Sequence, residues 1–149
     1  MKIVAHTEKN RMKRLFSAIC LTLLLAGNAA GADGNGLEVN VLAKSGSSWD
    51  GKVLPPYITG KPEISILRIK IPPGAVLPLH KHPVINAGVL VSGELTVVTE
   101  EGKTLHLKAG EALVEVVDTW HYGKNEGNKP AEIIVFYAGA TDAPITVNK

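Results

Sequence analysis

From residue 33 onward the chain is broken by turn residues every several positions, and that spacing excludes most folds. Pro72-Pro73-Gly74, Ser92-Gly93, Glu101-Gly102, Ala109-Gly110 and Glu126-Gly127-Asn128 are the clearest breaks. Glycine supplies positive φ at such sites and proline removes a ladder donor, so no long helix or strand runs through them. The stretches between are rich in Val, Ile, Leu and Thr, which fit a pleated, half-buried surface. Strands are therefore predicted at 37–42, 64–71, 76–83, 86–91, 94–99, 104–108, 112–117 and 132–137. In 64–71 the apolar Ile64, Leu67, Ile69 and Ile71 are set against Arg68 and Lys70, which should face water. No helical period of useful length competes. Many short strands joined by tight turns point to an all-β sandwich or barrel. At 149 residues the chain has room for one ordinary domain.

The first thirty-two residues read as an address rather than as structure. Lys13 and Arg14 precede an apolar run of twelve, 15–26, and Ala30-Gly31-Ala32 offers the small residues of a cleavage site. The run is too short for a membrane span, which needs roughly 20 apolar residues. A signal peptide over 1–32 is expected, with the mature protein periplasmic or secreted and free of the membrane. Met12 sits against the charges and is the alternative start. Segment 1–32 carries five basic side chains and one acid, which leaves eleven basic and thirteen acidic residues in the remainder, a net charge of −2 with His neutral. No basic patch suited to nucleic acid remains. Cys20, the only cysteine, falls in the apolar run, so disulfides and thiolate metal sites are excluded from the mature part. Any metal must be held by nitrogen and oxygen.

Side chains two apart on a strand share a face, so His80 and His82 project together while Lys81 points away. Pro78 and Pro83 bracket them, which suits a strand ending at a sheet edge or barrel mouth. His121 lies just past the 112–117 strand. Around these residues the sequence resembles the cupin family. The first cupin motif (Gly, five residues, His-x-His, three or four residues, Glu, six residues, Gly) is matched by Gly74, His80, His82, Asn86 and Gly93. The second (Gly, five residues, Pro-x-Gly, two residues, His, three residues, Asn) is matched by Gly110, Val116, Asp118, His121 and Asn125, with the Pro and one Gly replaced. The resemblance implies a single jelly-roll-like β-barrel, the double-stranded β-helix, over 64–149, with 33–63 as an N-terminal strand and loop segment covering it. It also implies that His80, His82 and His121 bind a divalent metal: iron, manganese, nickel, copper or zinc. Dimers through barrel edges are common in the family, and strand 37–42 is the candidate edge.

Where the family has its Glu ligand, this chain has Asn86. A neutral amide leaves the full charge of a dication in place, which weakens binding and acidifies any bound water. Glu115 is the candidate compensator. It shares a face of 112–117 with Leu113 and Val117, and if that face is interior it serves as ligand or general base. The pattern leaves open which face that is, and so whether Asn86 or Glu115 supplies the oxygen. His106 is expected to be exposed, and Trp120 and Tyr122 to pack or form a rim beside His121. Trp49 and Tyr57 are expected to cover the core, or to belong to a lid folded over the mouth, and Asn125 to organise the turn after His121. Three readings follow: a metal-dependent enzyme on a small molecule (oxygenase, isomerase or lyase), a non-catalytic module that binds or senses a small ligand, and a structural or storage barrel.

Overall fold

The structure is a computed structural model that describes residues 36–149. The signal-peptide segment 1–32 and its two candidate starts lie outside the described residues. The described residues contain no helix, so none is long and apolar enough to cross a membrane. Nine strands follow in order: β1 (Pro62–Ile71), β2 (His80–Lys81), β3 (Ile85–Ser92), β4 (Glu94–Thr99), β5 (Thr104–Lys108), β6 (Ala112–Val114), β7 (His121–Lys124), β8 (Ala131–Ala140) and β9 (Val147–Asn148). Every pairing is antiparallel. One sheet runs β1-β8-β3-β6 and the other β5-β4-β7-β2-β9. The fold is all-β and jelly-roll-like, as expected. The two ladders remain separate, so the barrel is closed by packing rather than by a continuous ring of hydrogen bonds.

The core follows from the alternation. Leu67, Arg68 and Lys70 of β1 are exposed, while Ile69 and Ile71 turn inward. They meet Ile133, Val135 and Tyr137 of β8, Leu90 of β3, Leu95 and Val97 of β4, Leu107 of β5 and Leu113 of β6 in one buried cluster. Burying a side chain of this size contributes about 1.5–3 kcal/mol, which makes this seam the main source of stability. Ile64 departs from the pattern: it sits on the outer face and is exposed.

Segment 37–42 forms no strand, against expectation. Its apolar residues Leu37, Val39, Val41 and Leu42 are all exposed. Alternation alone does not make a strand. Two further strands are shorter than expected. Within 76–83 only His80–Lys81 forms a strand, with an isolated bridge from Val76 to Lys124, because Pro78 and Pro83 lack the N–H a continuous ladder needs. The 112–117 strand ends at Val114. Beyond it the chain turns through Asp118, which takes a positive φ of 49° at a position where the family motif has Gly. A short Asp tolerates that region better than most residues. Sequence pattern did not reveal β7, which has no apolar alternation, or β9.

Candidate metal centre

The site forms at one end of the second sheet, where β2 and β7 lie side by side with His80 opposite His121. Register makes these two rings neighbours, and the period of two brings His82 to the same face. Ring centroids lie 4.5 Å (His80 to His121), 4.9 Å (His80 to His82) and 5.1 Å (His82 to His121) apart. The ligand atoms of the three all fall within 4.8 Å of one another. His82 and His121 are buried and His80 is half-buried.

Each ring is held by its other nitrogen. His80 Nδ1 lies 2.7 Å from the Pro78 carbonyl, His82 Nδ1 2.7 Å from the Ile145 carbonyl, and His121 Nδ1 2.8 Å from the Thr119 carbonyl. A carbonyl only accepts, so in all three rings the proton belongs on Nδ1 and Nε2 keeps its lone pair. Three lone pairs then converge with no hydrogen between them, an arrangement that costs energy unless a cation is shared. Backbone partners on the far nitrogen are the usual support of ligating imidazoles. Burial pushes His82 down to about 4, partly offset by its bond to Ile145, and burial also lowers His80. Both are therefore neutral near pH 7, the form that ligates. The donor set suits a borderline divalent ion, and the three histidines can hold one.

Asn86 and Glu115 are both buried on the inner side. They are cross-strand neighbours: the Glu115 N–H donates to the Asn86 carbonyl at 3.0 Å, continuing the Ala87 to Val114 register. Asn86 makes only a long contact of 3.4 Å from Nδ2 to the Val84 carbonyl. Glu115 is held firmly. Its Oε1 accepts from Trp49 Nε1–H at 2.7 Å and from the Val116 N–H at 2.9 Å, and its Oε2 faces His121 Nε2 at 3.8 Å. Leu113 and Glu115 are buried while Ala112 and Val114 are half-buried, so the Leu113 face of 112–117 is the interior one, and past it Val116 is buried too.

Trp49 was expected only to cover the core or a lid. It packs on the core cluster and also reaches Glu115. It sits at the tip of a tight loop closed by the Ser47 to Val53 bridge, whose tip donates from the Trp49 N–H to the Val114 carbonyl at 2.9 Å. Tyr57 does not join it and is exposed. His106 is exposed, as expected, and lies 3.1 Å from the Thr96 hydroxyl. Trp120 forms a rim: the ammonium groups of Lys81 and Lys149 lie 5.5 and 5.6 Å from its ring centre. Asn125 organises its turn through bonds from Nδ2 to the Ile71 and Lys129 carbonyls and from the Gly127 N–H to its Oδ1. Behind His80, His121 and Glu115 lies a cavity of about 60 Å³ walled by Ile69, Leu77, Leu95, Val97 and Val135.

The structure is thus a jelly-roll-like double-stranded β-helix with three histidines at one end that can hold a metal ion, and the comparisons place its central segment. The family model for the cupin domain matches residues 67–137. Residues 67–137 therefore form a cupin domain. Among solved structures it is similar to an oxalate oxidase in complex with the substrate analogue glycolate, at 27% identity and TM-score 0.50 over 57% of this chain and 45% of that one. It is similar to the DMSP lyase DddQ from Ruegeria pomeroyi, at 19% identity and TM-score 0.51 over 58% of this chain and 43% of that one. It is also similar to a conserved double-stranded β-helix protein from Klebsiella pneumoniae, at 19% identity and TM-score 0.52 over 71% of this chain and 87% of that one. The chain thus spans less than half the length of the two enzymes. A search of curated proteins found no match.

Proposed function

We propose that this cupin is an exported, metal-dependent enzyme acting on a small molecule, with His80, His82 and His121 as metal ligands and Glu115 as the acid–base group. The observation that carries the reading is the convergence of three Nε2 lone pairs, each fixed by a carbonyl on the opposite side of its ring. A divalent ion held there would act as a Lewis acid toward an oxygen of the bound molecule. The chain's own residues do the rest. Trp49 and the Val116 N–H saturate one oxygen of Glu115, so that only Oε2 is free to take a proton or to complete the ligand set. Asn86 is the alternative oxygen donor. The aliphatic wall of the cavity lowers the local polarity, which strengthens the charge interactions at its polar end.

Cavity size narrows the class of molecule. About 60 Å³ is room for roughly two waters or a few non-hydrogen atoms, whereas benzene needs about 150 Å³. A short hydroxy or keto acid fits, in keeping with the glycolate-bound oxalate oxidase that the chain resembles. The competing reading is a non-catalytic small-ligand binder. It is favoured by the cavity lining, in which Glu115 is the only titratable group besides His80 and His121.

Metal analysis of the purified protein tests the first claim. Wild type should retain iron, manganese, nickel, copper or zinc in near-stoichiometric amount, and His82→Ala and His121→Ala should lose it. Retention by both variants would refute the triad. Oxygen uptake and product analysis with glycolate and short keto acids then separate the readings, since a ligand retained without turnover selects the binder. Mass determination of the protein recovered from the periplasm or medium tests export and cleavage after Ala32.

A further inference from the structure

The cupin match ends at residue 137, yet the partner of His82 lies beyond it. β2 is only two residues long and pairs with β7 through one residue pair, His80 with His121. Its other side is covered by β9, with His80 opposite Asn148 and Lys81 opposite Val147. The Lys149 N–H extends this ladder to the Leu79 carbonyl at 3.0 Å. Just before β9, the Ile145 carbonyl accepts a hydrogen bond from the His82 Nδ1–H at 2.7 Å, and the Thr146 hydroxyl lies 3.2 Å from the same nitrogen. Thr146 also bonds Tyr137, whose ring meets the His82 ring edge-on at 5.3 Å. The side chain of Ile145 packs on the core cluster, which pins this segment to the sandwich.

We infer that residues 145–149 are a built part of the metal centre: a C-terminal strap whose Ile145 carbonyl and Thr146 hydroxyl set the tautomer and aim of His82, and whose β9 ladder holds the strand carrying His80. Without it, the segment carrying His80 and His82 would be a sheet edge held by the His80–His121 pair, the Val76–Lys124 bridge with its Leu77 N–H bond to the Gly123 carbonyl, and the Asp118 N–H bond to the His82 carbonyl. A His82 ring lacking its carbonyl partner is free to rotate and to place its proton on Nε2, which removes the lone pair from the site. Thr146 and Ile145 are thus positioning residues, acting on the metal only through His82.

The inference rests on the triad being a metal site, and the test keeps the two separable. Zn²⁺ affinity is measured by competition with a chromogenic chelator on wild type, His82→Ala, Thr146→Val, Thr146→Ser, Val147→Pro and a chain truncated after Ala143. The melting temperature of each metal-free protein is recorded beside it. Val147→Pro takes a backbone donor out of β9 and leaves Ile145 in place, so it serves if truncation prevents folding. Loss of an outer partner of a ligating histidine costs about 10–100-fold in affinity. The truncated chain and Val147→Pro should fall in that range, Thr146→Val at its lower end, and Thr146→Ser should bind as wild type does. The visible spectrum of the Co²⁺-loaded protein should change in the same variants, a readout that a purely structural strand would not move. Affinities and Co²⁺ spectra unchanged in Val147→Pro and Thr146→Val, with binding lost in His82→Ala, would overturn the strap and leave the triad standing. Failure of wild type to bind Zn²⁺ would instead overturn the metal reading on which the strap depends.

Discussion

Removing the indole N–H of Trp49 is the sharpest perturbation of the Glu115 arrangement. Trp49→Phe keeps an aromatic ring against the core cluster and deletes one donor, the Nε1–H that meets Glu115 Oε1 at 2.7 Å. A hydrogen bond to a carboxylate contributes about 1.5–3 kcal/mol. Taking ~2 kcal/mol, and an unfolding entropy of about 0.23 kcal/mol/K for about 110 ordered residues, the melting temperature should drop by about 9 °C. Part of that fall would come from the changed ring, so the bond is isolated by a double-mutant cycle with Glu115→Ala. Urea denaturation of the metal-free protein supplies the four stabilities. In the Glu115→Ala background the indole N–H has already lost its acceptor, so Trp49→Phe should then cost little, and the coupling should come out at about 1.5–3 kcal/mol. Equal costs of Trp49→Phe in the two backgrounds, within about 0.5 kcal/mol, would show that the indole does not hold the carboxylate.

Acidity should weaken the fold over a defined window. His82 falls to about 4 in the folded protein from an ordinary value of 6.5, so between those limits the unfolded chain binds the extra proton. Metal-free stability is therefore full above pH 6.5 and declines as pH falls toward 4, by a loss on the order of 3 kcal/mol from this residue, with His80 acting in the same direction. Melting curves across that range check it, and a flat profile would contradict it. Gly93→Ala and Gly110→Ala should differ sharply although both have positive φ, of 75° and 91°. A Cβ at Gly93 would stand 2.7 Å from the Pro130 carbonyl oxygen, whereas at Gly110 nothing lies within 4 Å. The second should cost about 1 kcal/mol and the first well above 2 kcal/mol, as read from denaturant midpoints. Adding the retained metal to metal-free wild type should raise the melting temperature with concentration, and His82→Ala should abolish the rise.

What could be read in advance was whatever has a local cause. Gly93 and Gly110 announce turns because few residues accept their backbone angles, and β3, β4, β5 and β8 follow from β-branched runs between such turns. His80 and His82 declare a shared face through strand periodicity. What escaped depends on long-range contact. Trp49 meets Glu115 across 66 residues and Ile145 meets His82 across 63, and no pattern in either segment points to the other. Segment 37–42 alternates well, yet it forms no strand among the described residues, since alternation alone does not decide pairing. β7 was missed because Gly123 and the polar residues of 121–124 lack strand propensity. Pairing with β4, from Val97 opposite Gly123 to Thr99 opposite His121, supplies what propensity does not.

The same long-range logic bears on the amide at residue 86. The resemblance implies an acid there, yet the buried carboxylate is found at residue 115, directly across the ladder. Opposed residues in an antiparallel pair have Cα atoms about 5 Å apart and point to the same side. Moving the acid one strand over therefore keeps a negative charge beside the histidines while changing which groups control it. A carboxylate at residue 86 would come from the start of β3, within its ladder to β8. At residue 115 it comes from a chain leaving its ladder, with one oxygen fixed by the Trp49 indole and the Val116 N–H. Only one oxygen is then free to face His121, so the carboxylate can offer a metal or a proton a single atom in a fixed direction. That constraint comes from the Trp49 loop, which precedes the segment matched by the cupin domain. The geometry at the polar end of this barrel is thus set from outside it.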